Sequence, residues 1–109
     1  MSWNMPNGAM PWTATTAGTN AGATATKAAA TGDTHFVTHV SGHTDADATL
    51  QLLDGSTVLA EWSIDISVEG FQFYSVSGLW PITSATACSA VISASAADCQ
   101  VNLGGFTVG

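Results

Sequence analysis

The sequence predicts an all-β protein, an antiparallel sandwich of seven to eight short strands. Three observations predict it. Val58, Ala60, Trp62, Ile64, Ile66 and Val68 alternate strictly with Glu61, Ser63, Asp65 and Ser67, the pattern of a strand with one buried face. Asp54-Gly55 sits between two apolar runs and marks a hairpin. Short apolar runs recur between turn residues at roughly 8–12-residue spacing, and no segment sustains a helical stripe.

The elements follow in chain order. Residues 1–21 carry Pro6, Pro11, Trp3, Trp12 and all three methionines, with no period of 2 or 3.6. They read as an extended N-terminal arm, outside a sandwich domain spanning 22–109. Such an arm either orders against a neighbouring subunit or frays. Ala23 to Ala29 forms the first strand, ending at Thr31-Gly32. The next strand holds Phe36-Val-Thr-His-Val40. Thr49 to Thr57 leads into the Asp54-Gly55 turn. Leu50 and Leu52 share the parity of the buried face that follows. A three-residue loop, with Gly55 left-handed and a bulge, keeps that parity. Gly70 to Val76 is an aromatic strand with Phe71 and Phe73 on one side. Ser77 to Thr83 reads as a loop carrying Trp80 before Pro81. Thr86 to Ile92 and Cys99 to Leu103 pair as a hairpin, and Phe106 to Val108 closes the chain after a Gly104-Gly105 break. The whole is jelly-roll-like.

The stretch DTHFVTHVSGHTDAD, residues 33–47, contains every histidine of the chain. On a strand, His35, His39 and His43 share a face. Neighbours in that row stand roughly 13 Å apart at ~3.3 Å per residue. Nitrogen ligands of one zinc ion each lie about 2 Å from it. No intrachain metal site is therefore expected, and the row reads as a solvent-facing or interface feature. A threefold axis could still gather one histidine from each of three chains. Asp45-Ala-Asp47 opens like a calcium loop but lacks its glycine and closing glutamate, so a solvated hairpin loop is expected.

Cys88 and Cys99 read as two small buried thiols. In the expected hairpin they lie about 13 Å apart, beyond disulfide reach. Neither has a cation nearby in sequence to lower its pKa. Glu61 and Asp65 share a strand face but are also ~13 Å apart. No glycine-flanked serine nucleophile and no phosphate-binding glycine loop is present. No catalytic residue, metal or cofactor is expected, and the protein does not read as an enzyme.

Charged residues make up only 8% of the chain, and Lys27 is the sole cation against eight carboxylates, a formal charge of −7. Nucleic acid and anionic membrane surfaces are poor partners for such a chain. No apolar run reaches the length of a transmembrane helix. The N-terminus lacks the basic start and long apolar middle of a signal peptide, so synthesis in the cytoplasm is expected.

From Ala23 to Gly109 the order of segments and their composition form a pattern. A small-residue strand is followed by Gly-Asp-Thr-His-Phe-Val-Thr38 and by Leu-Leu-Asp-Gly-Ser-Thr-Val-Leu59. An aromatic strand and an Ala/Ser/Val/Cys hairpin then end in Gly-Gly-Phe-Thr-Val108. This resembles the small β-sandwich virion proteins of tailed bacteriophages, especially capsid decoration (cement) proteins. The resemblance implies a non-enzymatic protein, commonly a homotrimer, made in the host cytoplasm and seated on the capsid surface. It implies the major capsid protein as partner and no catalytic residues. Trp3, Met5, Met10, Trp12 and Trp80 are the candidate partner-binding anchors, since tryptophan is enriched at interface hot spots. Trp80 could equally fold onto the domain's own core, whereas the parity of Trp62 makes it core. The alternative is a carbohydrate- or receptor-binding module of a virion fibre or tail, with Trp80, Tyr74 and Trp12 stacking on a glycan. A metal-dependent enzyme using His35, His39 or His43 is the third reading.

Overall fold

Among the described residues, eight strands arise where inward and outward side chains alternate. The structure is a computed structural model; it describes residues 9–19, 21–65, 73–93 and 98–109. The strands are β1 (Met10–Gly18), β2 (Ala23–Lys27), β3 (Thr34–Thr44), β4 (Ala48–Asp54), β5 (Thr57–Ile64), β6 (Phe73–Pro81), β7 (Cys88–Ser93) and β8 (Cys99–Val108). They form two antiparallel four-stranded sheets, ordered β1-β8-β3-β6 and β2-β7-β4-β5. The all-β sandwich is thus what the alternation predicted. β1 pairs β8, β2 pairs β7, β3 pairs β6, and β4 pairs β5. That nesting is a long hairpin, folded at the β4–β5 turn and rolled up so that its strands alternate between layers. It is the strand order of a jelly roll.

The core lies between the sheets. Val37, Val40, Val101 and Leu103 face inward from the first sheet, and Leu50, Leu52, Ile64 and Ile92 from the second. Fully burying each such side chain stabilises the fold by about 1.5–3 kcal/mol. Ala23, Ala25, Ala90 and Cys88 fill the rest of the second sheet's inner face with small groups.

Several local expectations change. Met10–Gly18, expected within the arm, is an edge strand paired with β8 along its whole length. Its inward positions are Trp12, Ala14, Thr16 and Gly18. They mix polar and apolar residues, so hydropathy hid the period of two. Trp80 is a strand residue near the end of β6, not a loop residue. The expected β7–β8 hairpin does not form, because those strands lie in opposite sheets. The Asp45–Asp47 connection likewise joins strands of opposite sheets rather than the arms of a hairpin. Both cysteines are buried, as expected.

The β4–β5 turn is tighter than parity suggested. Asp54 pairs directly with Thr57, leaving only Gly55 and Ser56 between them. Gly55 is left-handed, with φ 60°. The extra residue that parity requires is Leu59, bulged between Val58 and Ala60. Leu52 then faces Ala60 and Leu50 faces Trp62, as the buried face demands. Val58, on the turn side of the bulge, is flipped outward and is 46% exposed.

A second bulge, at Thr38, breaks the histidine row. The register of β3 shifts between Val37 and His39 against both neighbours. His35 and Val37 point inward before the shift, and Val40 and Thr44 after it. His39 and His43 are therefore on the outer face, opposite to His35. The expectation of one shared face fails because an inserted residue reverses a two-residue period. Gly104 and Gly105 do not break β8. They make room for this bulge, since a Cβ on Gly104 would overlap the His39 ring and one on Gly105 the Phe36 carbonyl oxygen.

Candidate interaction surface

The first sheet contains no Asp, Glu, Lys or Arg in any of its four strands. Asp54, Glu61 and Lys27 belong to the second sheet, and Asp33, Asp45, Asp47, Asp65 and Asp98 to connections. Among the described residues, a chain with a formal charge of −7 thus presents one broad face without Asp, Glu, Lys or Arg, on which His39 and His43 lie; Glu69 lies outside the described residues. The outer surface of the sheet has two bands. One is a cross-strand row of Pro11, Phe106, Phe36 and Pro81, in register across all four strands, in which Pro11 and Pro81 are exposed, Phe36 is half-buried and Phe106 is buried. Phe36 and Phe106 stack at 5.1 Å with 12° between planes. Leu79 adjoins this row on β6 and is 61% exposed. The other band is polar. Thr15 Oγ1 donates to Asn102 Oδ1 (2.8 Å), and Asn102 Nδ2 donates to Ser41 Oγ (3.1 Å), linking β1, β8 and β3.

The tryptophans close the sides of the sandwich. At the β1–β2 side, Trp12 turns inward and is half-buried. The His35 ring meets it edge-on at 5.8 Å, and Lys27 Nζ lies 5.7 Å from its ring centroid. Its indole nitrogen is enclosed with no acceptor. His35 is buried. Its Nε2 donates to the Ala28 carbonyl (2.8 Å), which can only accept, and its Nδ1 lies 2.7 Å from Thr107 Oγ1. This histidine ties the chain after β2 to the end of β8. At the opposite side, Trp80 and Tyr74 of β6 flank Trp62 of β5 at 6.1 and 6.4 Å. The anchor candidates are therefore divided. Trp12 and Trp80 face inward at opposite sides, Met10 is 70% exposed, and Trp3 and Met5 lie outside the described residues. So do Ile66, Val68 and Phe71. Trp62, expected in the core, packs against its margin and is only half-buried. Tyr74 and Trp80 come together around Trp62, but Trp12 is not beside them.

Sequence reasoning missed Val58, Leu59 and Leu79. With Met10 they are the most exposed large hydrophobic residues among those described. All four lie on edge strands. The signal that could have found Leu59 is the parity conflict itself, which required an extra residue near the turn.

Several polar side chains tie connections to strands. Asp45 Oδ1 accepts from the Asp98 amide (2.9 Å), holding the chain at the entry to β8. Asp54 Oδ2 accepts from the amide and hydroxyl of Thr83 (3.1 and 2.7 Å). Burial, and then the nearby Asp54 carboxylate, push the Cys88 thiol up to about 11 against a small opposing pull from Lys27. The Cys99 thiol donates to Thr44 Oγ1 at 3.6 Å. Among the described residues no three His, Cys, Asp or Glu side chains are grouped to hold a metal ion. Comparison with protein-family models, curated proteins and solved structures found no match.

Proposed function

We propose that this chain is a structural virion protein that binds the outside of an assembled phage capsid and stabilises the lattice by bridging neighbouring capsid subunits. The observation that carries this reading is the charge-free first sheet, with its apolar row and its ordered hydroxyl and amide band. Burying a charged group against a protein surface costs free energy unless it is paired. A face with no charges avoids that cost, while carboxylates elsewhere keep the chain soluble and steer copies apart. The partner is the major capsid protein, and the chemistry is binding without turnover. The resemblance of Gly32–Thr38, Leu52–Leu59 and Gly104–Val108 to capsid decoration proteins supports the same reading.

The test is co-sedimentation of purified protein with undecorated capsids. Wild-type protein pellets with capsids saturably. Thr15→Glu, which places a charge on the outer face of the first sheet, weakens attachment at least tenfold. Thr24→Glu, on the outer face of the second sheet, leaves it unchanged. Absence of wild-type attachment, or equal loss in both variants, overturns the proposal.

A further inference from the structure

The bulge at Thr38 sorts the three histidines onto two faces. His35 points into the sandwich, where both ring nitrogens are engaged, one by the Ala28 carbonyl and one by Thr107 Oγ1. His39 and His43 lie on the outer face of the first sheet. Among the described residues they are the only titratable side chains on that face, and neither ring has a hydrogen bond or an ion pair.

The two outer rings have different surroundings. His39 is half-buried, and its ring lies over Gly104 of β8, where an added Cβ would overlap it. Ser77 of β6 faces His39 in register, and Thr13 of β1 stands beyond Gly104. None of these strands carries a carboxylate or an amine or guanidinium cation. His43 is exposed, with Gln100 of β8 and Phe73 of β6 opposite it in register and Ala17 of β1 beyond Gln100. Past the Thr44–Cys99 pair at that end of the sheet come Asp45 and Asp98, joined through the Asp98 amide and Asp45 Oδ1. Glu69, in the connection before β6, lies outside the described residues.

We infer that the docking face is gated by pH: it holds the shell while His39 and His43 are neutral and releases it when they are protonated. This rests on the proposed function and adds its regulation. Imidazoles in general change charge between about pH 5 and pH 8. Protonation puts two cations on an otherwise uncharged face, roughly 13 Å apart along β3 at ~3.3 Å per residue. Taking an imidazolium out of water is costly unless a carboxylate meets it. Docking therefore selects the neutral rings, and protons compete with the capsid for the free protein. Each proton that must leave lowers the apparent affinity by up to about tenfold per pH unit. His39 carries more of the effect, because no carboxylate stands on the strands around it, whereas Asp45 and Asp98 at the His43 end offset part of that ring's charge.

The test is co-sedimentation with undecorated capsids at about pH 8 and about pH 5.5, on either side of the imidazole range, with circular dichroism of the protein at both. Wild-type attachment falls roughly tenfold or more at the lower pH while the strand signal is unchanged. The double variant His39→Gln, His43→Gln attaches equally at both pH values. His39→Gln alone recovers more of the acid loss than His43→Gln alone. Wild-type attachment that is as strong or stronger at the lower pH overturns this inference and spares the proposed function. So does an acid loss that the double and both single variants share, which would place the titration on the capsid, or one accompanied by loss of the strand signal. No wild-type attachment at either pH removes the proposed function and this inference with it.

Discussion

Gly104 and Gly105 stand side by side in β8, yet they should respond very differently to the same added methyl group. At Gly104 the three atoms nearest to an added Cβ all belong to the His39 ring. That ring is a side chain on the outer face of β3 and can rotate away. Holding it off its preferred rotamer costs of order 0.5–1.5 kcal/mol. The lower backbone entropy of alanine offsets roughly 0.5–1 kcal/mol of this. Gly104→Ala should therefore cost about 1 kcal/mol or less. At Gly105 a Cβ meets the Phe36 carbonyl and, at 3.0 Å, Val37 Cα. Both are main chain in a strand bonded on each side, by β8 and by β6. Overpacking costs typically ~1–3 kcal/mol even where side chains can yield. Gly105→Ala should cost about 3 kcal/mol or more. For a domain of this size each 1 kcal/mol lowers the melting temperature by roughly 4–8 °C. Urea denaturation followed by tryptophan fluorescence, with thermal melts by circular dichroism, reads both. His39→Ala should abolish the cost of Gly104→Ala and leave that of Gly105→Ala intact. A Gly105→Ala protein within about 1 kcal/mol of wild type would refute the bulge geometry. So would a Gly104→Ala penalty that His39→Ala leaves unchanged.

Three further outcomes follow from single sites. Ala85 has φ 57°, where a residue with a Cβ is strained by roughly 1–2 kcal/mol; Ala85→Gly should leave the melting temperature unchanged or raise it, and a clear fall would contradict that strain. The folded-state pKa of Cys88 is raised from 9.0 to about 11, so its stabilising contribution is complete below pH 9 and is lost as pH rises through 11. Two pKa units correspond to at most about 2.7 kcal/mol, so urea midpoints should fall between pH 9 and 11, and fall less in Cys88→Ala. His35→Phe leaves the Ala28 carbonyl and the Thr107 hydroxyl without their ring partner, a loss of about 2–3 kcal/mol by denaturation; a neutral result would mean water replaces both bonds.

Much of the fold was legible because strands with one buried face announce it. The alternation from Val58 onward, the Asp54-Gly55 turn and the spacing of apolar runs gave the class and most of the strands. What the residues could not disclose was placement between layers. Thr86–Ile92 and Cys99–Leu103 look like a hairpin because they are adjacent in sequence, but jelly-roll winding sends β7 and β8 to different sheets. The histidine row was misread for a local reason. Nothing about Thr38 marks it as a bulge, and one inserted residue sends His39 and His43 to the opposite face from His35. β1 was hidden by composition, since an inward face of Trp12, Ala14, Thr16 and Gly18 has no hydropathic contrast. The uncharged face was present in the sequence all along, as four segments without Asp, Glu, Lys or Arg. It becomes a surface only once β1, β8, β3 and β6 are known to be neighbours.

The central claim, that the charge-free sheet docks on a shell, is tested most directly by electron cryo-microscopy of undecorated capsids saturated with the purified protein. The account predicts two-layered density on the outside of the shell at junctions between capsid subunits. The β1-β8-β3-β6 layer should lie against the capsid and the carboxylate-bearing layer should face solvent. Bare capsids, or bound density with the acidic layer against the shell, would contradict it.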